Sequence, residues 1–125
     1  GIHSICRIIA HSSVAHEPLY FTTAPGKAIT KVLKKSDLTI EDIDLFEINE
    51  AFSNVTLAAM REHSIPHDKV NIHGGAVSLG HPIGASGARI LVTLISALQK
   101  KQKKRGLAAL CIGGGEAAAL IVEII

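Results

Sequence analysis

Residues 86–125 read SGARILVTLISALQKKQKKRGLAALCIGGGEAAALIVEII. Ile90, Leu91, Leu94, Ile95, Ala97 and Leu98 cover more than one face of a helix predicted from Ser86 to Lys103, the pattern of a helix buried on both sides. Two strands are predicted next, Leu107–Ile112 and Ala118–Ile125. The glycine turn between them, Gly113 to Glu116, is short enough for a hairpin, so the last strand should run antiparallel to its predecessor. Upstream, Ile5–Val14, Ile43–Ile48 and Val70–Ile72 read as three further strands. A helix opens at Pro25, with Ile29, Val32 and Leu33 on one face and Lys27, Lys31, Lys34 and Lys35 on the wet side. Another runs from Glu50 to His63, with Phe52, Val55, Ala59 and Met60 inward and Pro66 forbidding its extension. Residues 15–23 and the Gly-rich stretch 74–84 read as loops. Alternating strands and helices predict an α/β fold with α/β/α layers, a mainly parallel five-stranded mixed sheet and one antiparallel last strand.

The chain has 125 residues, enough for one domain with a sizeable core. Hydrophobic residues make up 47% and aromatic residues 3%, so that core is aliphatic. A net charge of +2 gives no strong field for nucleic acid. The basic run from Lys100 to Arg105 has no interleaved aromatic residue for base stacking; it reads as the solvated, cationic end of a helix. No apolar stretch approaches the ~20 residues needed to span a bilayer. Two cysteines cannot build a disulfide framework. His63 and His67 are separated by Pro66 and cannot share a helix face as metal ligands, and His73 with His81 lacks a third ligand. Cys6 lies mid-strand and reads as core. The chain opens directly in strand-like sequence, which hints at sequence upstream.

Three chemistry-bearing residues fall at carboxyl ends of predicted strands, where ligands bind in open α/β sheets. Asn49 follows the second strand, His81 lies in the loop after the third, and Cys111 ends the fourth. An amide, an imidazole and a thiol in one crevice suit acyl or carbanion chemistry. His81 lies just before a helix N-terminus, whose positive end disfavours imidazolium and leaves a neutral base. The bland reading is a loop histidine satisfied by backbone carbonyls. Against it, Gly80, Gly84 and Gly87 let backbone approach a ligand. Cys111 could equally be a small core residue, yet it precedes a triple-glycine turn whose N–H groups could receive an oxyanion. Asn49 could be no more than the N-cap of the following helix.

Taken together, Asn49-Glu50-Ala51-Phe52, Gly74-Gly75-Ala76 running to Gly80-His81-Pro82, Gly84 to Arg89, and Cys111-Ile112-Gly113-Gly114-Gly115 closely resemble the thiolases, the enzymes that make and cleave 3-ketoacyl-CoA. The resemblance spans essentially the whole chain in order and spacing. Ketoacyl synthases share the fold but pair their nucleophile with two histidines, or a histidine and an asparagine; Cys111 before glycines resembles thiolase instead. The resemblance implies that residues 1–125 are a thiolase C-terminal domain and that the parent enzyme converts two acetyl-CoA to acetoacetyl-CoA plus CoA, reversibly. It implies that His81 activates the nucleophilic cysteine and that Cys111 is the acid/base on the α-carbon. Asn49 would hold an oxyanion-hole water and the Gly113 N–H would serve a second oxyanion hole. Phe52 would wall the acyl pocket, with Gly80 and Gly114 contributing to substrate binding. No metal or cofactor is implied, only CoA thioesters as substrates. The family's nucleophile lies in an N-terminal domain of the same fold, whose motif Cys6 does not match, so these residues alone are expected to be inactive. The predicted helix from Ser86 would pack on its counterpart in that other half, and a homo-oligomer is expected. The Tyr20–Pro25 stretch resembles acetoacetyl-CoA thiolases. The terminal Glu123-Ile124-Ile125 is not a peroxisomal signal, leaving cytoplasm or mitochondrion as the expected compartment. The reading from another class is a non-catalytic thiolase-like module that binds CoA or lipid or serves assembly.

Overall fold

In the computed structural model, which describes residues 1–125, the elements are β1 (Cys6–Ala15), α1 (Ala24–Ser36), β2 (Leu45–Ile48), α2 (Ser53–His63), α3 (Ala76–Leu79), α4 (Ser86–Lys100), β3 (Arg105–Ile112) and β4 (Glu116–Ile124). The sheet order is β1-β4-β3-β2. Strand β2 pairs parallel with β3, and β4 pairs antiparallel with both β3 and β1. Three strands therefore run one way and the last runs against them, as the hairpin turn predicts. Because β4 sits between β1 and β3, however, most of the pairing is antiparallel, not mainly parallel.

Strand alternation divides the core in two. Phe46, Ile48, Leu107, Ala109, Ala117, Ala119 and Ile121 face α1 and α2 together with Ile29, Val32 and Ala59. Leu45, Ala108 and Val122 face α4 with Ile90, Leu94, Ala97 and Leu98. A Cβ at Gly106 would come within 2.7–2.9 Å of Leu94 and Leu98, so the absence of a side chain there lets α4 settle onto β3. The three layers match the sequence expectation, but α4 is not buried all round. Val92 is exposed, Leu91 and Ile95 are half-buried, and on the same side of the sheet Ile8 of β1 is exposed.

The sheet has four strands, not five. The expected strand at Val70–Ile72 contributes a single parallel bridge, Phe46 to Val70. The cause is Asn71, whose left-handed φ of 48° turns the chain away. Its side chain then continues the ladder in place of backbone: Oδ1 accepts from the Ile48 N–H at 2.9 Å and Nδ2 donates to the Ile48 carbonyl at 2.9 Å. Asn71→Ala is expected to lower stability by about 1–2 kcal/mol, because it orphans the Ile48 N–H at the end of β2, while the Thr56 hydroxyl still donates to the Ile48 carbonyl at 3.1 Å; chemical denaturation of the two proteins measures it.

Helix α2 also starts later than expected, at Ser53, with Phe52 in extended conformation before it. Glu50 does not enter the helix. Its carboxylate accepts from Asn71 Nδ2 at 2.9 Å and from the Val77 N–H at 3.0 Å, bracing the Gly-rich loop, in which residues 76–79 form one helical turn. Pro18–Thr23 is a 3-10 helix where a loop was expected, and α4 ends at Lys100 instead of Lys103. At the open edge of the sheet, the carbonyls of His11 and Ser13 point away from β4. Lys35 and Lys31, one turn apart on α1, reach over to them at 3.2 and 2.9 Å. At the opposite end of the sheet from the glycine turn, Glu123 is buried and holds Arg7, Arg105 and Lys104. The hydrogen bond from Arg7, then that from Arg105, keeps its carboxyl below the ordinary range.

Candidate active site

The site forms where β2 and β3 end. Asn49 leaves β2 by donating its backbone N–H to the Ala109 carbonyl at 2.9 Å, which sets it level with β3 two residues before Cys111. Asn49 is 1% exposed. It is not the N-cap of α2, since three residues intervene before that helix begins. Its Nδ2 lies 3.5 Å from both ring nitrogens of His81, so the amide rests against the imidazole and is directed at neither lone pair. Its Oδ1 is buried with no hydrogen-bond partner. Whichever end of the amide faces the ring, the other end is left seeking a partner. A buried polar atom without one costs roughly 1–3 kcal/mol, which a bound water or substrate oxygen would recover.

His81 follows Gly80, whose φ of 95° and ψ of 161° belong to a region open essentially to glycine alone. The loop thus needs Gly80 to swing His81 toward Asn49. The ring is fixed from its other side by Ser86, 1% exposed, with Oγ 2.6 Å from Nδ1. The Ser86 hydroxyl also lies 3.1 Å from the Pro82 carbonyl, to which it donates its one proton. It must then accept from Nδ1–H, an assignment that follows from the hydrogen-bond network. Nε2 is left as the bare, basic nitrogen. The sequence marks Ser86 only as the start of a helix; its spacing from His81, i to i+5 across Pro82, Ile83, Gly84 and Ala85, carries no signal of contact.

Cys111 is half-buried near the end of β3, and burial raises its thiol above the ordinary range. No side-chain hydrogen bond joins it to Asn49 or His81; the first two are in contact, and the thiol stands on the neighbouring strand. Beyond it, Gly113 and Gly114 are exposed, while Gly115 is buried. Gly114 and Gly115 have φ of 90° and 87°. A Cβ at Gly115 would meet the His16 carbonyl at 2.3 Å, so the turn is seated tightly on the end of β1. Phe52 is exposed at the rim, edge-on to Phe21 at a centroid distance of 6.1 Å. Phe21 was not singled out from sequence.

Behind the site lies a buried ion pair that sequence reading also passed over. Glu47 of β2 is 1% exposed and meets Arg89 of α4 at 3.3 Å. Burial raises its carboxyl to about 7, against the opposing pull of Arg89. The apolar run Ile43–Ile48 had hidden a charge inside a strand.

Known proteins are similar to this chain in sequence and in fold. The chain is 50% identical over 123 residues to a probable acetyl-CoA acetyltransferase of Dictyostelium discoideum and 49% identical to acetyl-CoA acetyltransferase 1 of Arabidopsis thaliana, each match covering 98% of this chain and 30% of the relative. The crystal structure of the Bacillus anthracis acetyl-CoA acetyltransferase is similar with a TM-score of 0.96 at 43% identity, over 99% of this chain and 32% of that one. That of human mitochondrial 3-ketoacyl-CoA thiolase gives 0.92 at 38% identity, over 95% and 30%. The chain thus spans about a third of the length of the relatives it matches. The family model described as thiolase, C-terminal domain, matches residues 2–124. Nearly every residue described above lies inside that match, and the chain belongs to the thiolase family as its C-terminal domain.

Proposed function

We propose that residues 1–125 form the proton-transfer and oxyanion-binding half of an acetyl-CoA acetyltransferase, interconverting two acetyl-CoA with acetoacetyl-CoA and CoA. The observation that carries this reading is the buried amide of Asn49, left with an unpartnered polar atom against an imidazole whose Nε2 is free. Core packing does not call for such a pair; a carbonyl undergoing attack does.

In the cleavage direction, a cysteine of a companion N-terminal domain gives its proton to His81 Nε2 and attacks the C3 ketone of acetoacetyl-CoA. Charge gathers on the former carbonyl oxygen. His81, now protonated, and a water held by Asn49 stabilise it. The C2–C3 bond breaks, leaving an acetyl-enzyme and the enolate of acetyl-CoA, whose oxygen faces the N–H of Gly113. Cys111 protonates C2. A thiol raised by burial is protonated at neutral pH and can donate; its thiolate, once formed, is a correspondingly strong base for the reverse step. His81 passes its proton to the Cys111 thiolate by way of solvent; incoming CoA then gives its own proton to His81 and attacks the acetyl-enzyme, and His81 reprotonates the departing cysteine. Only thiols, protons and thioesters take part, with no metal or cofactor. Phe52 borders the acyl group at the rim, and the backbone at Gly80 and Gly114 approaches the substrate.

The companion domain would cover the exposed apolar side of α4 and β1, where Val92 and Ile8 face solvent. Without it, two copies are expected to pair through the same surface.

The 125 residues purified alone are expected to show no acetoacetyl-CoA cleavage with CoA. Addition of a separately expressed thiolase N-terminal domain is expected to restore it. Cleavage by the chain alone that disappears in Cys111→Ala would place the nucleophile here and overturn the division of roles.

A further inference from the structure

Glu47 and Arg89 are each in an unfavourable place. Glu47 is a carboxylate in the middle of a parallel strand, 1% exposed, on the side of β2 that faces α4. Arg89 is a cation in the first turn of α4, at the positive end of the helix. They meet each other at 3.3 Å, with Arg89 Nη1 also 3.5 Å from Thr93 Oγ1. A buried pair of this kind is weak evidence for stability, since well-packed apolar residues in its place are often as stable or more so.

What the pair joins is more informative than its strength. Glu47 lies in β2 two residues before Asn49, which directly follows that strand, about 7 Å away along the extended chain. Arg89 lies three residues after Ser86 on one helix, about 4.5 Å along the axis. Ser86 holds His81 Nδ1. The ion pair therefore ties the strand that carries Asn49 to the helix turn that carries the support of His81. The His81–Asn49 contact itself is loose, at 3.5 Å to either ring nitrogen, and cannot set that spacing.

We propose that Glu47 and Arg89 are positioning residues, whose contact fixes the first turn of α4 on β2 and thereby holds His81 in the Nδ1–H tautomer against Asn49. Neither touches substrate. The inference rests on the acetyltransferase reading for its catalytic meaning, while its structural claim is testable without activity.

The first measurement is the imidazole 15N spectrum of the 125-residue chain, with His81 assigned by its loss in His81→Asn. The intact chain is expected to show His81 as one tautomer, protonated at Nδ1. In Glu47→Gln the ratio of tautomers is expected to fall by about tenfold or more, as Ser86 loses its place. The double variant Glu47→Met/Arg89→Met separates positioning from folding. It is expected to unfold at a midpoint at or above that of the natural chain, and still to show mixed tautomers. Paired with a thiolase N-terminal domain, it is expected to lose on the order of 10²-fold in kcat with KM little changed, the cost of misplacing a catalytic group by about 1 Å. A single His81 tautomer retained in the folded double variant would overturn the proposal. No turnover by the natural pair of domains, with the tautomer change intact, would instead refute the acetyltransferase reading and leave the positioning role standing.

Discussion

His81→Ala is expected to cut acetoacetyl-CoA cleavage by about 10²–10⁴-fold in the enzyme reassembled from this chain and an N-terminal domain, the range for loss of a positioned base. Cys111→Ala is expected to lose cleavage to a similar extent. The two variants should differ in a partial reaction. Exchange of labelled CoA into acetyl-CoA needs only acylation and deacylation of the companion cysteine. His81 takes part in both steps, and Cys111 in neither. Cys111→Ala should therefore keep most of the exchange rate while His81→Ala loses it. The geometry underlies this split: His81 and Asn49 are in contact, whereas Cys111 stands apart on β3 with no hydrogen bond to either. Equal loss of exchange in both variants would show that Cys111 belongs to the acylation machinery.

Glu47→Gln is expected to change how stability depends on pH. The Glu47 carboxyl is carried from 4.5 to about 7 in the folded chain, chiefly by burial. Below 4.5 the group is protonated in both folded and unfolded states, and its burial carries no charge penalty. Above about 7 it is ionised in both, and the folded state bears the cost. Its contribution is thus fully present at low pH and lost as pH rises from 4.5 to about 7. At 1.36 kcal/mol per pH unit this amounts to on the order of 3 kcal/mol. Urea unfolding across that window should show the natural chain losing stability relative to Glu47→Gln as pH rises. Glu123, lowered in the folded chain, acts below the window and with opposite sign. Parallel stability curves would mean that Arg89 fully compensates the buried charge.

The strand and helix order was legible because aliphatic runs, Pro25, Pro66 and the triple glycine punctuate the chain. Asn49 and Cys111 were legible as residue types at strand ends; His81 stands out among its glycines, since the strand expected before it does not form. What failed to show were the tertiary uses of polar side chains. Val70–Ile72 has the composition of a strand, yet Asn71 turns out of it and extends β2 with its amide. Glu50 sits where a helix should begin, but its carboxylate braces a loop 27 residues downstream. Ser86 and Glu47 have no local signature, because their partners lie across a tight loop and in another layer. The place of β4 between β1 and β3 is a matter of long-range pairing that local periodicity does not encode.

The two lysines of α1 that cap the carbonyls of β1 do more than satisfy hydrogen bonds. A ten-residue strand without proline at the border of a sheet is a template on which other chains can stack. Lys31 and Lys35 occupy two of its outward acceptors and place two positive charges where a second strand would have to lie. Two chains approaching along this border meet four ammonium groups before they can form a ladder, so growth into cross-β fibrils is obstructed at its first step.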